Sequence, residues 1–150
     1  MTTTAHPAPL PFGTQVIGQT EKALNAILQR LLAGTDITEP QWMALTLTVA
    51  GGEPLSGDAL AERVAGALKV DRAMAHERIA ELAAANLLRT TPDGTVVATE
   101  QGRTQWTQVR AAITQLIQEL WGDLPEEELA IAGRVLNTVL ARANTRLSAA

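Results

Sequence analysis

The chain has 150 residues, of which 46% are hydrophobic and 19% charged, and its formal net charge is −4. This balance indicates one folded domain with a substantial core and excludes a disordered chain, while the acidic charge provides no overall positive field for nucleic acid. Without cysteine the chain forms no disulfide, thiolate metal site or thiol switch.

The first twelve residues contain Pro7, Pro9 and Pro11, which resist regular structure. They predict a flexible arm over residues 1–12, ahead of a single domain over residues 13–150. The arm lacks a basic cluster followed by an apolar stretch, and no later run approaches the ~18 apolar residues of a membrane span. A cytoplasmic protein without membrane contact is expected.

The first helix is predicted from about Phe12 to Ala33, with Gly34 as a stop. Four apolar residues share one face of it at the i, i+3, i+4, i+7 spacing. They are Leu24, Ile27, Leu28 and Leu31.

A second helix is predicted to begin after Thr38, because Thr38 and Gln41 fit a capping box. Pro40 is tolerated in the first turn, where no intrahelical hydrogen bond is lost. Gly51 and Gly52 end this helix after Ala50.

Two further helices are predicted in close succession. Ser56 or Asp58 can cap a short helix that ends near Gly66, and Asp71 can cap a longer one from Arg72 to about Ala85. Three apolar residues of the longer helix form an inward stripe at spacings of four and three. They are Ala75, Ile79 and Leu82.

A small hairpin is predicted next, because β-favouring runs over residues 87–89 and 95–99 flank the turn sequence Pro92-Asp93-Gly94. A long helix from Glu100 to about Trp121 and a last helix that begins at Pro125 follow. Both helices are strongly apolar on one side. Together with the first helix, the predicted dimerisation segments cover residues 13–34 and 100–150, and a two-fold axis would bring them together.

The order of elements over residues 38–99 is that of a winged helix-turn-helix, whose second helix enters the DNA major groove. The predicted fold class is therefore mainly α, with long terminal dimerisation helices and a short two-stranded β wing. Between Ser56 and Arg103 the formal charge is only −1. Weak binding to DNA outside a specific site is expected, because phosphate neutralisation supplies most non-specific affinity.

The sequence resembles the MarR (multiple antibiotic resistance regulator) family from about Phe12 to Leu147. Three local matches in the family's order carry the resemblance. They are Thr38-Glu39-Pro40-Gln41-Trp42, Leu60-Ala61-Glu62-Arg63 and Thr99-Glu100-Gln101-Gly102. The resemblance implies a dimeric repressor that binds a palindromic double-stranded operator and responds to a small hydrophobic or aromatic effector. It implies no cofactor and no enzymatic activity.

Three features of the sequence differ from the family pattern. Asn86 stands where the family usually has a glycine helix stop, and asparagine also tolerates the left-handed conformation. The wing lacks the family's Asp-x-Arg signature, and the turn from Val64 to Val70 looks longer than usual.

The candidate site residues follow from this arrangement. The DNA-binding candidates are Arg63, Lys69, Arg72, Ala73, His76, Glu77, Arg89 and Thr91. Arg72 is placed for a bidentate contact to guanine, with pairing to Asp71 or a phosphate as the alternative. Trp42 and Trp106 could line an effector pocket or pack only in the core, and no metal site is expected. The alternative function is a winged-helix protein-interaction module that has lost sequence-specific DNA binding.

Overall fold

The computed structural model describes residues 8–149. Within this range the helices are α1 Thr14–Leu32, α2 Glu39–Ala50, α3 Gly57–Leu68, α4 Arg72–Ala84, α5 Glu100–Leu120 and α6 Glu126–Ser148, and the strands are β1 Leu55–Ser56, β2 Leu88–Thr90 and β3 Thr95–Ala98. The predicted fold class, a mainly α winged helix-turn-helix, is confirmed. The predicted arm lies mostly outside the described residues, and the domain boundaries stay a prediction.

The chain divides into two compact units between Ala112 and Ile113. The first unit contains α1 to α4, the sheet and the first part of α5, and the second contains the end of α5 and all of α6. None of the helices within residues 8–149 has the length and apolar character needed to cross a membrane.

The core of the first unit lies where α2, α3, α4 and the sheet pack together. Its largest fully buried side chains are Leu45, Leu60, Val64, Leu82 and Leu88. Burying each such side chain contributes roughly 1.5–3 kcal/mol to folding. Ala44, Ala61 and Ala75 are also completely buried, and their small side chains allow the three helices to pack closely.

Side-chain caps fix where three helices begin. The predicted capping box of α2 is present, since Thr38 N–H donates to Gln41 Oε1 and Gln41 N–H donates to Thr38 Oγ1. Ser56, one of the two candidates, caps α3 by accepting from Ala59 N–H at 3.2 Å. Asp71 caps α4 as predicted, with its Oδ1 2.8 Å from Met74 N.

The turn between α3 and α4 is short. Helix α3 continues through Gly66 to Leu68, and Lys69 ends it in the left-handed conformation at φ 58°. The expectation that the turn from Val64 to Val70 is longer than usual in the family was therefore wrong. A single glycine costs a helix only about 1 kcal/mol relative to alanine, and the flanking Ala and Leu residues favour its continuation.

The sheet has three antiparallel strands in the order β1-β3-β2. The predicted hairpin is β2 and β3, with Arg89 opposite Val97. The predicted two-stranded wing is therefore present, and the strand that was not predicted is β1, in which Leu55 pairs with Val96 and Ser56 with Thr95. A two-residue strand has no measurable periodicity, because only its hydrogen bonds to a distant partner define it.

In the second unit, α6 begins one residue after Pro125 and has no buried side chain. Three glutamates occupy its first turn, where they complement the positive end of the helix dipole. Leu129 is half-buried, and the other large apolar side chains of α6 are well exposed, namely Ile131, Val135, Leu136, Val139, Leu140 and Leu147. We refer to these six residues as the α6 apolar face.

Candidate nucleic-acid interface

Helix α4 is held against the core by the predicted inward stripe. Ala75, Ile79 and Leu82 are 0%, 9% and 1% exposed, respectively. Because these residues occupy one side of the helix, the opposite side is presented to solvent. This confirms the predicted orientation of α4.

Arg72 and His76 share one acidic partner across the helix-turn-helix. Arg72 Nη2 lies 3.6 Å from Asp58 Oδ1, and His76 Nε2 lies 3.3 Å from the same oxygen. The alternative pairing of Arg72 with Asp71 is wrong, since Asp71 caps α4 and Asp58 in the first turn of α3 takes the guanidinium. All three side chains are substantially exposed, so each pair contributes about 0–1 kcal/mol.

A second polar network lies on the other flank of α4. Arg78 Nη2 contacts Glu77 Oε2 at 3.1 Å and Glu81 Oε1 at 3.3 Å. Glu81 Oε2 in turn accepts from Gln41 Nε2 of α2 at 2.5 Å. The Arg78 side chain is 25% exposed, and its buried Nε has no hydrogen-bond partner within the described residues. This network ties α4 to α2.

Sequence reasoning did not single out Arg78 as the centre of this network. The available signal was its spacing of three residues from Glu81 on a helix, which favours an ion pair. The contact with Gln41 carried no sequence signal, because the two residues are 40 positions apart.

The side of α4 directly opposite the buried stripe contains Ala73, Glu77, Ala80 and Ala84, and we call these four residues the outward face. All four are exposed, and at 100° per residue they cluster about half a turn from Ala75, Ile79 and Leu82. Glu77 is thus the single charged side chain on this face.

Arg63 and Lys69 lie on α3 and at its end. Arg63 is exposed, with its guanidinium near Gly51 at the end of α2. Lys69 Nζ donates to the Gly66 carbonyl at 2.8 Å, so its ammonium group satisfies the end of its own helix.

The wing tip is a tight turn from Thr91 to Gly94. Gly94 N–H donates to the Thr91 carbonyl at 2.9 Å, and Gly94 takes φ 87°, a conformation that glycine adopts without strain. The Asp93 carboxylate accepts hydrogen bonds from the Thr91 and Thr95 hydroxyls. These bonds, with Thr91 the largest cause, lower the pKa of Asp93.

The candidates Arg89 and Thr91 occupy different places in the wing. Arg89 is exposed on β2, whereas the Thr91 hydroxyl is engaged with Asp93 and Thr95 at the tip. The tip therefore presents a carboxylate rather than an arginine, as expected from the missing Asp-x-Arg signature.

The base of the wing is locked to the start of α5. Asn86 adopts the predicted left-handed conformation, at φ 63°. Thr99 Oγ1 donates to the Asn86 carbonyl at 2.6 Å and accepts from Gly102 N–H at 3.0 Å. A side chain at Gly102 would overlap the Leu87 carbonyl oxygen, which explains a glycine at this position.

Trp42 and Trp106 come together in the first unit. Their rings stack with centroids 6.2 Å apart and an interplanar angle of 15°. Trp42 is 6% exposed, whereas Trp106 is half-buried and donates from Nε1 to Thr46 Oγ1 at 3.1 Å. The two residues are thus adjacent, and whether they line an effector pocket or pack only in the core stays a prediction.

Histidine, aspartate and glutamate are the side chains of this chain that commonly bind metal ions. Over residues 8–149, no three of them lie together in a way that could hold a metal ion.

No protein-family model and no curated protein sequence matches the chain. Among solved structures, a MarR family transcriptional regulator from Silicibacter pomeroyi is similar with a TM-score of 0.73 and 20% identity, covering 88% of this chain and 89% of that one. The reduced form of MarR from E. coli gives 0.65 and 22% identity, covering 88% and 95%, respectively. The chain has the MarR winged-helix fold.

A third similar structure with the MarR fold is CouR from Rhodococcus jostii RHA1 bound to p-coumaroyl-CoA. Its TM-score is 0.70 at 15% identity, and the match covers 83% of this chain and 88% of that chain. At these identities the likeness is one of fold, and it confirms the resemblance found in the sequence.

Proposed function

We propose that this chain is a homodimeric DNA-binding transcriptional regulator of the MarR type, acting in the cytoplasm as a repressor that a small hydrophobic or aromatic effector releases. The observation that carries the proposal is the helix-turn-helix itself: α4 is capped, anchored on its inner side and exposed on its outer side, next to a β wing. Several of the similar solved structures are transcriptional regulators, which favours this function over an enzymatic one.

DNA recognition would place α4 in the major groove, with its N-terminal residues at the base edges. Arg72 would contact guanine, and His76 would lie one turn further along. Arg63, Lys69, Arg89 and Thr91 would contact the backbone. Because Asp58 partly offsets the charge of Arg72, we expect low affinity for arbitrary sequences.

A homodimer is supported by the α6 apolar face. Leu136, Leu140 and Ile131 are 46%, 54% and 50% exposed, and the face extends over more than four helical turns. Contiguous apolar surface of this kind is typical of a protein interface. A two-fold dimer would present two copies of α4 to a palindromic operator. Light scattering at micromolar concentration should give twice the chain mass of 15.9 kDa, and a monomer mass would contradict the proposal.

An effector site is proposed beside the stacked tryptophans, where the accessible part of Trp106 would contact the ligand. Apolar pockets with aromatic walls favour such ligands, and the CouR structure contains a ligand with an aromatic acyl group. Trp121, the first residue after α5, would add its own fluorescence to the signal, so the test uses Trp121→Phe protein. Quenching of the remaining fluorescence by aromatic acids or their thioesters supports the site, and no change in fluorescence or melting temperature contradicts it.

The decisive test of the proposed function is a mobility-shift titration against duplexes that cover the region upstream of the chain's own gene. A discrete fragment bound in preference to scrambled DNA, with affinity that falls as salt rises, is expected. Equal binding to every fragment would refute sequence-specific regulation.

A second candidate, the protein-interaction module, is favoured by a specific observation. The outward face of α4 is alanine except for Glu77, and the nearby cations Arg72 and Arg78 have acidic partners. Such a module predicts no salt-dependent affinity for any duplex. A measurable decrease in affinity between 50 and 200 mM salt, as phosphate contacts require, would exclude it.

A further inference from the structure

Glu77 occupies the centre of the surface that α4 presents to solvent. On the outward face its neighbours are Ala73, one turn before it, and Ala80, on the following turn. We infer that Glu77 determines base specificity by accepting a hydrogen bond from the N4 amino group of cytosine, with Ala73 or Ala80 against thymine methyl groups. This inference rests on the proposed DNA binding and names the base chemistry that the same helix recognises.

The chemistry of the major groove makes cytosine the best partner for a carboxylate. Guanine presents only the acceptors O6 and N7 there, and thymine presents the acceptor O4, so both repel an anion. Adenine presents its N6 amino group beside the acceptor N7, whereas cytosine presents the N4 amino group as a donor with no acceptor on the same base. A carboxylate in the groove is also close to phosphates, which makes its presence unfavourable at any site that offers no donor.

The position of the Glu77 carboxylate is set by its neighbour. Arg78 Nη2 donates to Glu77 Oε2 at 3.1 Å, and no residue within the described range bonds to Oε1. Arg78 is itself held by Glu81, which is anchored to Gln41 of α2. One carboxylate oxygen is therefore oriented by the protein while no described residue bonds to the other, and less side-chain entropy is lost when the base contact forms.

The alanines strengthen the argument for a base-reading role. A methyl side chain is short enough to let the helix backbone approach the groove floor, and it makes apolar contact with the C5-methyl group of thymine. Glu77 is 67% exposed and would reach the base edge beyond the alanine methyls. The outward face thus combines one acceptor with apolar contacts, which matches cytosine flanked by thymine.

The experiment selects binding sites from a random duplex library with wild-type protein and with three variants. Glu77→Ala removes the carboxylate, and Glu77→Gln replaces it with an amide that can bond adenine through N6 and N7. Glu53→Gln is the matched control, because Glu53 is an exposed glutamate in the loop before β1, outside α3 and α4. Titrations of individual duplexes then give the affinity for each base at the selected positions.

Wild-type protein and the control should select cytosine at one position in each half-site, with about 5- to 100-fold preference over other bases. Glu77→Ala should lose the preference for cytosine at that position alone and bind duplexes with the other bases more tightly. Glu77→Gln should change the preferred base at that position from cytosine to adenine. Unchanged base preferences in Glu77→Ala, or an equal change on every sequence, would overturn the inference while leaving DNA binding intact. Failure of wild-type protein to select any duplex would instead refute the proposed function.

Discussion

Replacing Arg72 with alanine tests the proposed recognition helix most directly. Arg72 is the first residue of α4, and Asp71 caps the helix just before it. Its side chain is 54% exposed and pairs only with exposed Asp58 among the contacts described. The substitution should therefore leave the fold intact and remove a contact that forms in the DNA complex.

The size of the effect follows from the contact that Arg72 would make. A bidentate arginine-guanine pair contributes about 1–3 kcal/mol of discrimination, so two half-sites give about 2–6 kcal/mol, or roughly 30-fold to 10⁴-fold in affinity. Loss of the Asp58 pair changes folding stability by about 0–1 kcal/mol at most, because both side chains are exposed. A binding loss in this range cannot then be attributed to unfolding.

The assay titrates wild-type and variant protein against operator and scrambled duplexes at two salt concentrations. Arg89→Ala is the matched control, since Arg89 is an exposed arginine on β2 with a proposed backbone role. Arg89→Ala should weaken both duplexes alike and reduce the salt slope by about one per half-site. Arg72→Ala should weaken the operator while leaving scrambled DNA nearly unaffected.

An equal loss of affinity for the two duplexes would refute base readout by Arg72 and indicate that Arg72 contacts the phosphate backbone. An unchanged operator affinity would show that the guanidinium stays with Asp58 in the complex.

The remaining predictions concern assembly, packing and the wing. Leu140→Arg in the α6 apolar face should convert the dimer to a monomer in light scattering, and an unchanged mass would remove α6 from the interface. Gly102→Ala should lower the melting temperature through about 1–3 kcal/mol of overpacking against the Leu87 carbonyl, and an unchanged melt would contradict the close contact. The lowered pKa of Asp93 means that its carboxylate stabilises the folded wing above the ordinary value of 3.8 and loses this effect as pH falls through the lowered pKa. Thr91→Ala should raise the pKa of Asp93 toward 3.8 in an NMR titration. An unchanged pKa would show that the Thr91 hydroxyl does not lower the pKa of Asp93.

Local signals account for the parts of the fold that the sequence determined. Capping residues act on backbone groups two or three positions away, so Thr38 and Asp71 marked the starts of α2 and α4. The inward stripe of α4 repeats with the helical period, and its burial follows from that period alone. Asn86 likewise takes the left-handed conformation that its residue type tolerates.

Contacts between side chains far apart in the sequence decided the polar networks of the site, because neighbouring residues do not indicate which distant side chain will be the partner. Tertiary packing brought Asp58 to Arg72 and His76, and Gln41 to the Glu81 that holds Arg78. The sequence shows that α4 has charged residues. It does not show which of them pair with a residue on another helix, because a paired and an unpaired charged residue look the same in the local sequence. The helical period already placed Glu77 and the alanines opposite the buried stripe. The packing of α2 and α3 against α4 decided which of the surrounding charged side chains have partners, because those partners lie on other helices.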